Sequence, residues 1–350
     1  MSSLTVLPNP SRRGFISACA GCAVACLAKA PCASAAPAPL GRKTRVSVVF
    51  TQAPKDKQGW PYVNFDYESK RKEIMAGLQA ASQFAEFTTA ISESAADSKR
   101  ILDAGRDADG FLVFLLGIPS FGAGREIGFS GRPAIVVDHL YGGTGEFLGV
   151  YGPARKKGLP VAGVTSSRFN DVIVALRALD TVQRTRGARI LDVTRRDPSR
   201  LTAEIKQAYG ADVIQVDGNE LNSLYDKASM DEARQWAQTW TKGAKKIVEP
   251  SREEILEGGR MYVAMKSLLD SQKSNAITVD CLDLLYGKLL RSYPCLGFFQ
   301  LNNECRVGAC EADLTSTSTM VLMNNLTGQP GYISDPVIDT ATNRIIYAHC

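Results

Sequence analysis

Residues 45–51 read Arg-Val-Ser-Val-Val-Phe-Thr. An almost unbroken β-branched run of this length, without alternation of polar and apolar positions, predicts a strand covered on both faces, as in the middle of a parallel sheet. Outward from it the pattern alternates. A helix is predicted over Ser69–Gln83, with Ile74, Leu78 and Ala81 on one face. Then come a strand at Glu86–Ile91, a helix at Asp97–Ala104, a strand at Gly110–Leu116, a short helix, and strands at Ala134–Asp138 and Pro160–Val164. Helix Phe169–Thr185 closes the series, with Gly187 as its stop. Strand and helix in alternation require right-handed crossovers and a parallel sheet with helices on both sides.

A second series begins at Arg189. Its predicted strands are Ile190–Val193, Val213–Val216 and Ala276–Val279, with helices near Leu201–Tyr209, Met230–Thr241 and Glu253–Asp270. Ser251 and Glu254 form a capping box ahead of the last of these. The fold class is therefore α/β: two stacked parallel-sheet, flavodoxin-like domains, followed by the start of an incomplete third. The expected division is 1–40 leader and linker, 41–186 first domain, 187–300 second domain and 301–350 the opening of a truncated C-terminal domain.

The leader is read from Arg12-Arg13 followed by the apolar run Phe15–Leu27 and the small-residue site Ala33-Ser34-Ala35, the pattern of a twin-arginine export signal. A periplasmic protein is expected. The chain has 350 residues and a formal charge of +5, which falls to +2 when Arg12, Arg13 and Lys29 leave with the leader. So small a charge gives no footprint for nucleic acid. No apolar stretch near 20 residues follows the leader, so no membrane span is expected in the mature chain. The two histidines, His139 and His349, exclude a site built on three imidazoles. Five cysteines remain after the leader: Cys281, Cys295, Cys305, Cys310 and Cys350. In an oxidising compartment some of them could pair. Gly142-Gly143-Thr144-Gly145 fits neither a Walker A loop nor a dinucleotide fingerprint. The stretch His139–Glu146 is either a glycine-rich turn or a ligand contact beyond a strand's carboxyl end.

The densest chemistry lies near the C-terminus. Cys310-Glu311-Ala312-Asp313 precedes a helical run, Leu314–Leu326, that ends at Gly328; Gly331–Ile333 is predicted as a strand leading into Ser334-Asp335-Pro336. A helix of about 15 residues carries the chain roughly 22 Å away, and the return segment spans a similar distance. Glu311 and Asp335 can therefore meet. Two converging carboxylates suit a hard cation, Mn²⁺ or Mg²⁺. The plainer alternative is a helix N-terminus decorated with acids that favour its dipole.

The stretches Tyr293-Pro294-Cys295, Leu301-Asn302, Ala309–Asp313, Asn325–Gly328, Ser334–Pro336 and Tyr347–Cys350 resemble the L-fucose isomerase family and, more distantly, L-arabinose isomerase. The resemblance covers roughly residues 275–350. It implies that Glu311 and Asp335 hold Mn²⁺ and carry the catalysis, an aldose–ketose conversion through an enediol, with Glu311 moving the proton between C1 and C2. Asp313 would orient the ligands from behind them. The family's third ligand, a histidine, lies in a further C-terminal domain; His349 is the residue here available to replace it. A monosaccharide substrate and a homo-oligomer are further implications. The alternatives are an exported non-catalytic sugar-binding protein or isomerase remnant, a two-lobed solute receptor, and a zinc site from Cys305, Cys310, His349 and Cys350.

Overall fold

The computed structural model describes residues 42–54, 64–117, 122–139 and 142–349; the leader, with Arg12 and Arg13, lies outside them. The run at 45–51 is strand β1, Thr44–Thr51, buried everywhere except Arg45. It lies between β2 (Ala85–Ser92) and β3 (Gly110–Leu115) in a five-stranded parallel sheet of order β2-β1-β3-β4-β5, with β4 at Ala134–Asp138 and β5 at Val161–Val164. In register, Val48 stands opposite Thr89 on one side and Leu112 on the other. Alternate residues of β1 serve two cores. Val46, Val48 and Phe50 join Leu78, Leu112 and Leu176 on one face; Val49 joins Phe111, Val113 and Ile127 on the other. Burying a side chain such as Phe50 contributes about 2–3 kcal/mol, so a strand apolar on both faces is held from both sides.

Helices α1 (Tyr67–Leu78) and α5 (Asn170–Arg186) cover the first face; α2 (Asp97–Ala104), α3 (Gly122–Phe129) and α4 (Thr144–Lys156) belong to the second. The helix expected to reach Gln83 stops at Leu78 and tightens into a 3₁₀ turn, Gln79–Ala81. Phe84, just beyond, is buried and its carbonyl accepts from Thr44 N, so the chain turns there to enter β2. Helix α4 was missed by the sequence reading because Pro153 and three glycines interrupt its pattern.

The second sheet has the order β7-β6-β8-β9, again all parallel: β6 Arg189–Val193, β7 Asp212–Val216, β8 Ala276–Val279 and β9 Val307–Cys310. Helices α7 (Gly218–Asp226), α8 (Met230–Gly243), α9 (Arg252–Ser271) and α11 (Cys295–Asn303) pack on one face around Tyr262 and Leu268. Helices α6 (Ser199–Tyr209) and α12 (Leu314–Thr327) pack on the other. Short α10, Cys281–Tyr286, follows β8. The Ser251–Glu254 capping box is present at the start of α9. The segment 301–350 supplies β9 and α12 to this second unit. Contact between the units runs through α5 and α12, where Asn325 Nδ2 donates to Thr185 Oγ1 at 3.2 Å.

One expected strand is not formed. Gly331–Ile333 pairs with nothing; Gly331 packs closely on Met320, and Ile333 lies against the core of the second unit. The strand begins instead at Asp335. β10 (Asp335–Asp339) and β11 (Arg344–Ala348) make an antiparallel hairpin, Asp335 opposite Ala348. The Asp339 carboxylate accepts from Ala341 N at 2.9 Å and Thr342 N at 3.3 Å, and Asn343 takes φ +53°, which together close the turn. Asp335 therefore opens a strand rather than ending one. Among the described residues no helix is long and apolar enough to cross a membrane.

Candidate metal centre

In an open α/β sheet, ligands bind beyond the carboxyl ends of the strands, where the strand order reverses. In the second unit that place lies between β6 and β8, and the polar residues gather there. A cleft of about 660 Å³ is lined by Arg195, Arg196, Asp280, Leu282, Asp283 and Glu311. Asp280 and Asp283 share this cleft with Glu311. The reason is topological: Asp280 leaves β8 and Glu311 leaves β9, and the two strands are neighbours.

Glu311 has φ +66° and Ala312 has φ +50°, two consecutive non-glycine residues in the left-handed region. Each costs about 1–2 kcal/mol and persists only where the surroundings hold it. Three contacts do so. Ala312 N donates to Val279 O at 3.2 Å. Arg196 Nη2 donates to Glu311 O at 2.7 Å. Glu311 N donates to the Cys281 sulfur. Asp313 caps α12 by accepting from Ser316 N at 2.9 Å.

The hairpin delivers the other two groups. Asp335 stands at its first residue, and His349 follows its last strand. One donor atom from each of Glu311, Asp335 and His349 lies within 4.8 Å of the other two, and this is the sole group of three such donors among the described residues. His349 Nδ1 is 3.2 Å from Asp335 Oδ2, yet without hydrogen-bond alignment: both imidazole nitrogens are buried with no hydrogen-bond partner. A buried polar atom left unpaired costs about 1–3 kcal/mol, and two on one ring, beside two carboxylates, suit a cation. Donor atoms around one Mg²⁺ stand roughly 3–4.2 Å apart, so the three groups would draw in on one another to share an ion. Asp313 is outside the cluster, its carboxylate engaged on the helix. Cys305 and Cys310 do not join His349, and Cys350 lies outside the described residues.

Behind the cleft is a charged layer that the sequence reading missed. Asp280, 3% exposed, accepts from Thr194 Oγ1 at 3.0 Å and pairs with Arg196 Nε at 2.7 Å. Asp192, 1% exposed, has an Oδ1 without partner. Burial pushes its carboxyl up to about 6; Arg196 opposes the shift and the charge of Asp280 adds to it. The signal for this layer was present in Asp192-Val193-Thr194-Arg195-Arg196, an acid near a strand's end followed by two arginines.

In the first unit the stretch His139–Glu146 is held by backbone bonds. Gly142 N and Gly143 N both donate to His139 O at 2.8 Å, a tight turn. A Cβ on Gly143 would lie 2.1 Å from Leu115 O, so glycine is required by close approach. Residues 140–141 lie outside the described residues. Glu146, next in α4, is 1% exposed and its carboxyl is pushed up to about 8 by burial.

Fold and donor set together define a two-unit α/β protein with a carboxylate–imidazole centre at a sheet's carboxyl edge. By sequence it is distantly similar to sugar isomerases. Sulfoquinovose isomerase of Alkalicoccus urumqiensis is 22% identical over 183 residues, covering 50% of this chain and 40% of that protein. The sulfoquinovose isomerases of Priestia aryabhattai and Priestia megaterium (strain ATCC 12872 / QMB1551) are each 22% identical over 151 residues, covering 42% of this chain and 33% of theirs. The matches span less than half the length of these relatives. They support kinship with sugar isomerases broadly, not with L-fucose isomerases in particular. No family model matches the chain. A chain of the XylFII-LytSN complex aligns at 12% identity over 82% of this chain and 95% of its own, with a TM-score of 0.21, too loose to carry an argument.

Proposed function

We propose that this chain is a divalent-cation-dependent aldose–ketose isomerase or a close derivative of one. The observation that carries the reading is the convergence of Glu311, Asp335 and His349, with both imidazole nitrogens otherwise unpartnered. These three residues would hold Mn²⁺ or Mg²⁺. When bound, such an ion stabilises negative charge developing on the enediol oxygen of the sugar. The chain's own residues do the rest. The cleft admits a monosaccharide on the side where Glu311 faces it. Glu311 takes a proton from one carbon and returns it to the next as base and then acid. Arg196, bonded to the Glu311 carbonyl and to Asp280, fixes the backbone from which Glu311 reaches. Asp335 and His349 hold the ion rather than the proton. The twin-arginine pattern and the isomerase resemblance complete the proposal: an exported, periplasmic protein that assembles as a homo-oligomer.

The test is metal analysis of purified protein with a sugar panel, sulfoquinovose among the aldoses because the matched relatives carry that name. One Mn²⁺ per chain is expected in the wild type and none in Asp335→Ala. Ketose formation is expected from the wild type and lost in Glu311→Gln. A wild type that binds no divalent ion and converts no sugar would sink the proposal. Sugar-induced stabilisation without ketose, equal in wild type and Glu311→Gln, would favour a non-catalytic sugar-binding protein.

A further inference from the structure

We propose that Cys281 and Cys310 form a reversible disulfide directly beneath the turn that carries Glu311. In register, Val279 of β8 stands opposite Cys310 of β9. Cys281 is two residues past Val279, at the first position of α10. The hydrogen bond from Ala312 N to Val279 O at 3.2 Å holds the two exits side by side. The two thiols share a hydrogen bond, and the Cys281 sulfur also accepts from the N–H of Glu311, the residue after Cys310. Both cysteines are half-buried, and neither is engaged in another disulfide. Disulfide bonding needs the two sulfurs to close to about 2 Å, and the thiol–thiol hydrogen bond already sets them side by side. A soft-metal site is the competing use of clustered thiols. Cys295, exposed at the start of α11, is near enough to feel the charge of Cys281, yet the three sulfurs do not converge on one point, since the single three-donor group among the described residues is Glu311, Asp335 and His349.

The chemistry balances with a low-molecular-weight disulfide as oxidant. One cysteine sulfur attacks a sulfur of the oxidant and expels one thiol, leaving a mixed disulfide. The other cysteine displaces the second thiol. The protein loses two hydrogens and the oxidant becomes two thiols. Because the sulfur that receives the Glu311 N–H is one of the bonded atoms, oxidation would tie that turn to α10. This pairing does not depend on any metal or sugar at the site.

The test is incubation of the full chain with oxidised glutathione, followed by mass analysis and tryptic mapping without reduction. Trypsin separates Cys281 in peptide 274–288, Cys295 with Cys305 in 292–306, and Cys310 in 307–344. The expected product is lighter by two hydrogens, has two fewer alkylatable thiols after denaturation, and joins 274–288 to 307–344 by a link that dithiothreitol releases. Cys281→Ser and Cys310→Ser each abolish the link and Cys295→Ser leaves it. If Cys310→Ser fails to fold, Cys281→Ser at the half-exposed side carries the test alone. A link through 292–306, a link between two chains, or glutathione adducts that never resolve would overturn the proposal.

Discussion

Glu146 offers the sharpest numerical test of the packing. Its carboxyl is 1% exposed, and burial pushes it from 4.5 up to about 8, opposed only by the Thr51 hydroxyl at 3.4 Å. A carboxyl raised in the folded state binds its proton more tightly there than in the unfolded chain. Below the unfolded value both states are protonated and nothing is lost; as pH rises through the window the unfolded chain ionises first and the fold loses stability. With 4.5 unfolded and about 8 folded, the loss between pH 5 and pH 8 is roughly 3.5 kcal/mol at 1.36 kcal/mol per unit. Asp192, raised from 3.8 to about 6, adds roughly 1 kcal/mol in the same direction. Glu146→Gln keeps the shape and cannot ionise. Urea unfolding followed by circular dichroism at both pH values should show the wild type losing stability, the variant losing roughly 3.5 kcal/mol less, and the variant the more stable of the two at pH 8. Parallel pH dependences would refute the reasoning, because they would mean that water reaches Glu146 in the native state.

Three further outcomes follow from the same geometry. Arg196→Met leaves Asp280, 3% exposed, without its ion pair and frees the Glu311 carbonyl; with the guanidinium itself largely exposed, a loss of about 2 kcal/mol is expected in thermal unfolding, and unchanged stability would remove Arg196 from its positioning role. Asp313→Ala deletes the cap on Ser316 N and should cost about 1 kcal/mol while metal stoichiometry stays that of the wild type; loss of bound metal would return Asp313 to the centre. Gly143→Ala forces a Cβ to 2.1 Å from Leu115 O and should cost about 3 kcal/mol or more as the turn is displaced, checked by denaturant midpoint against Gly149→Ala, whose added Cβ meets nothing within 4 Å.

The sequence alone determined the layered α/β architecture. Runs such as Val46–Thr51 and Phe111–Leu115 carry apolar side chains on both faces because both faces of a parallel strand are covered, and that chemistry is local. It also singled out Glu311 and Asp335, because an acid on either side of a long helix is visible in one dimension. Tertiary structure decided what surrounds them. That Asp280, Asp192 and Arg196 share one edge with Glu311 depends on β6, β8 and β9 being placed in that order, which pairing between strands far apart in the chain fixes and no local pattern reports. That His349 meets Asp335 depends on the hairpin turn at 339–343, whose register sets Asp335 opposite Ala348 and so brings the next residue to the same end.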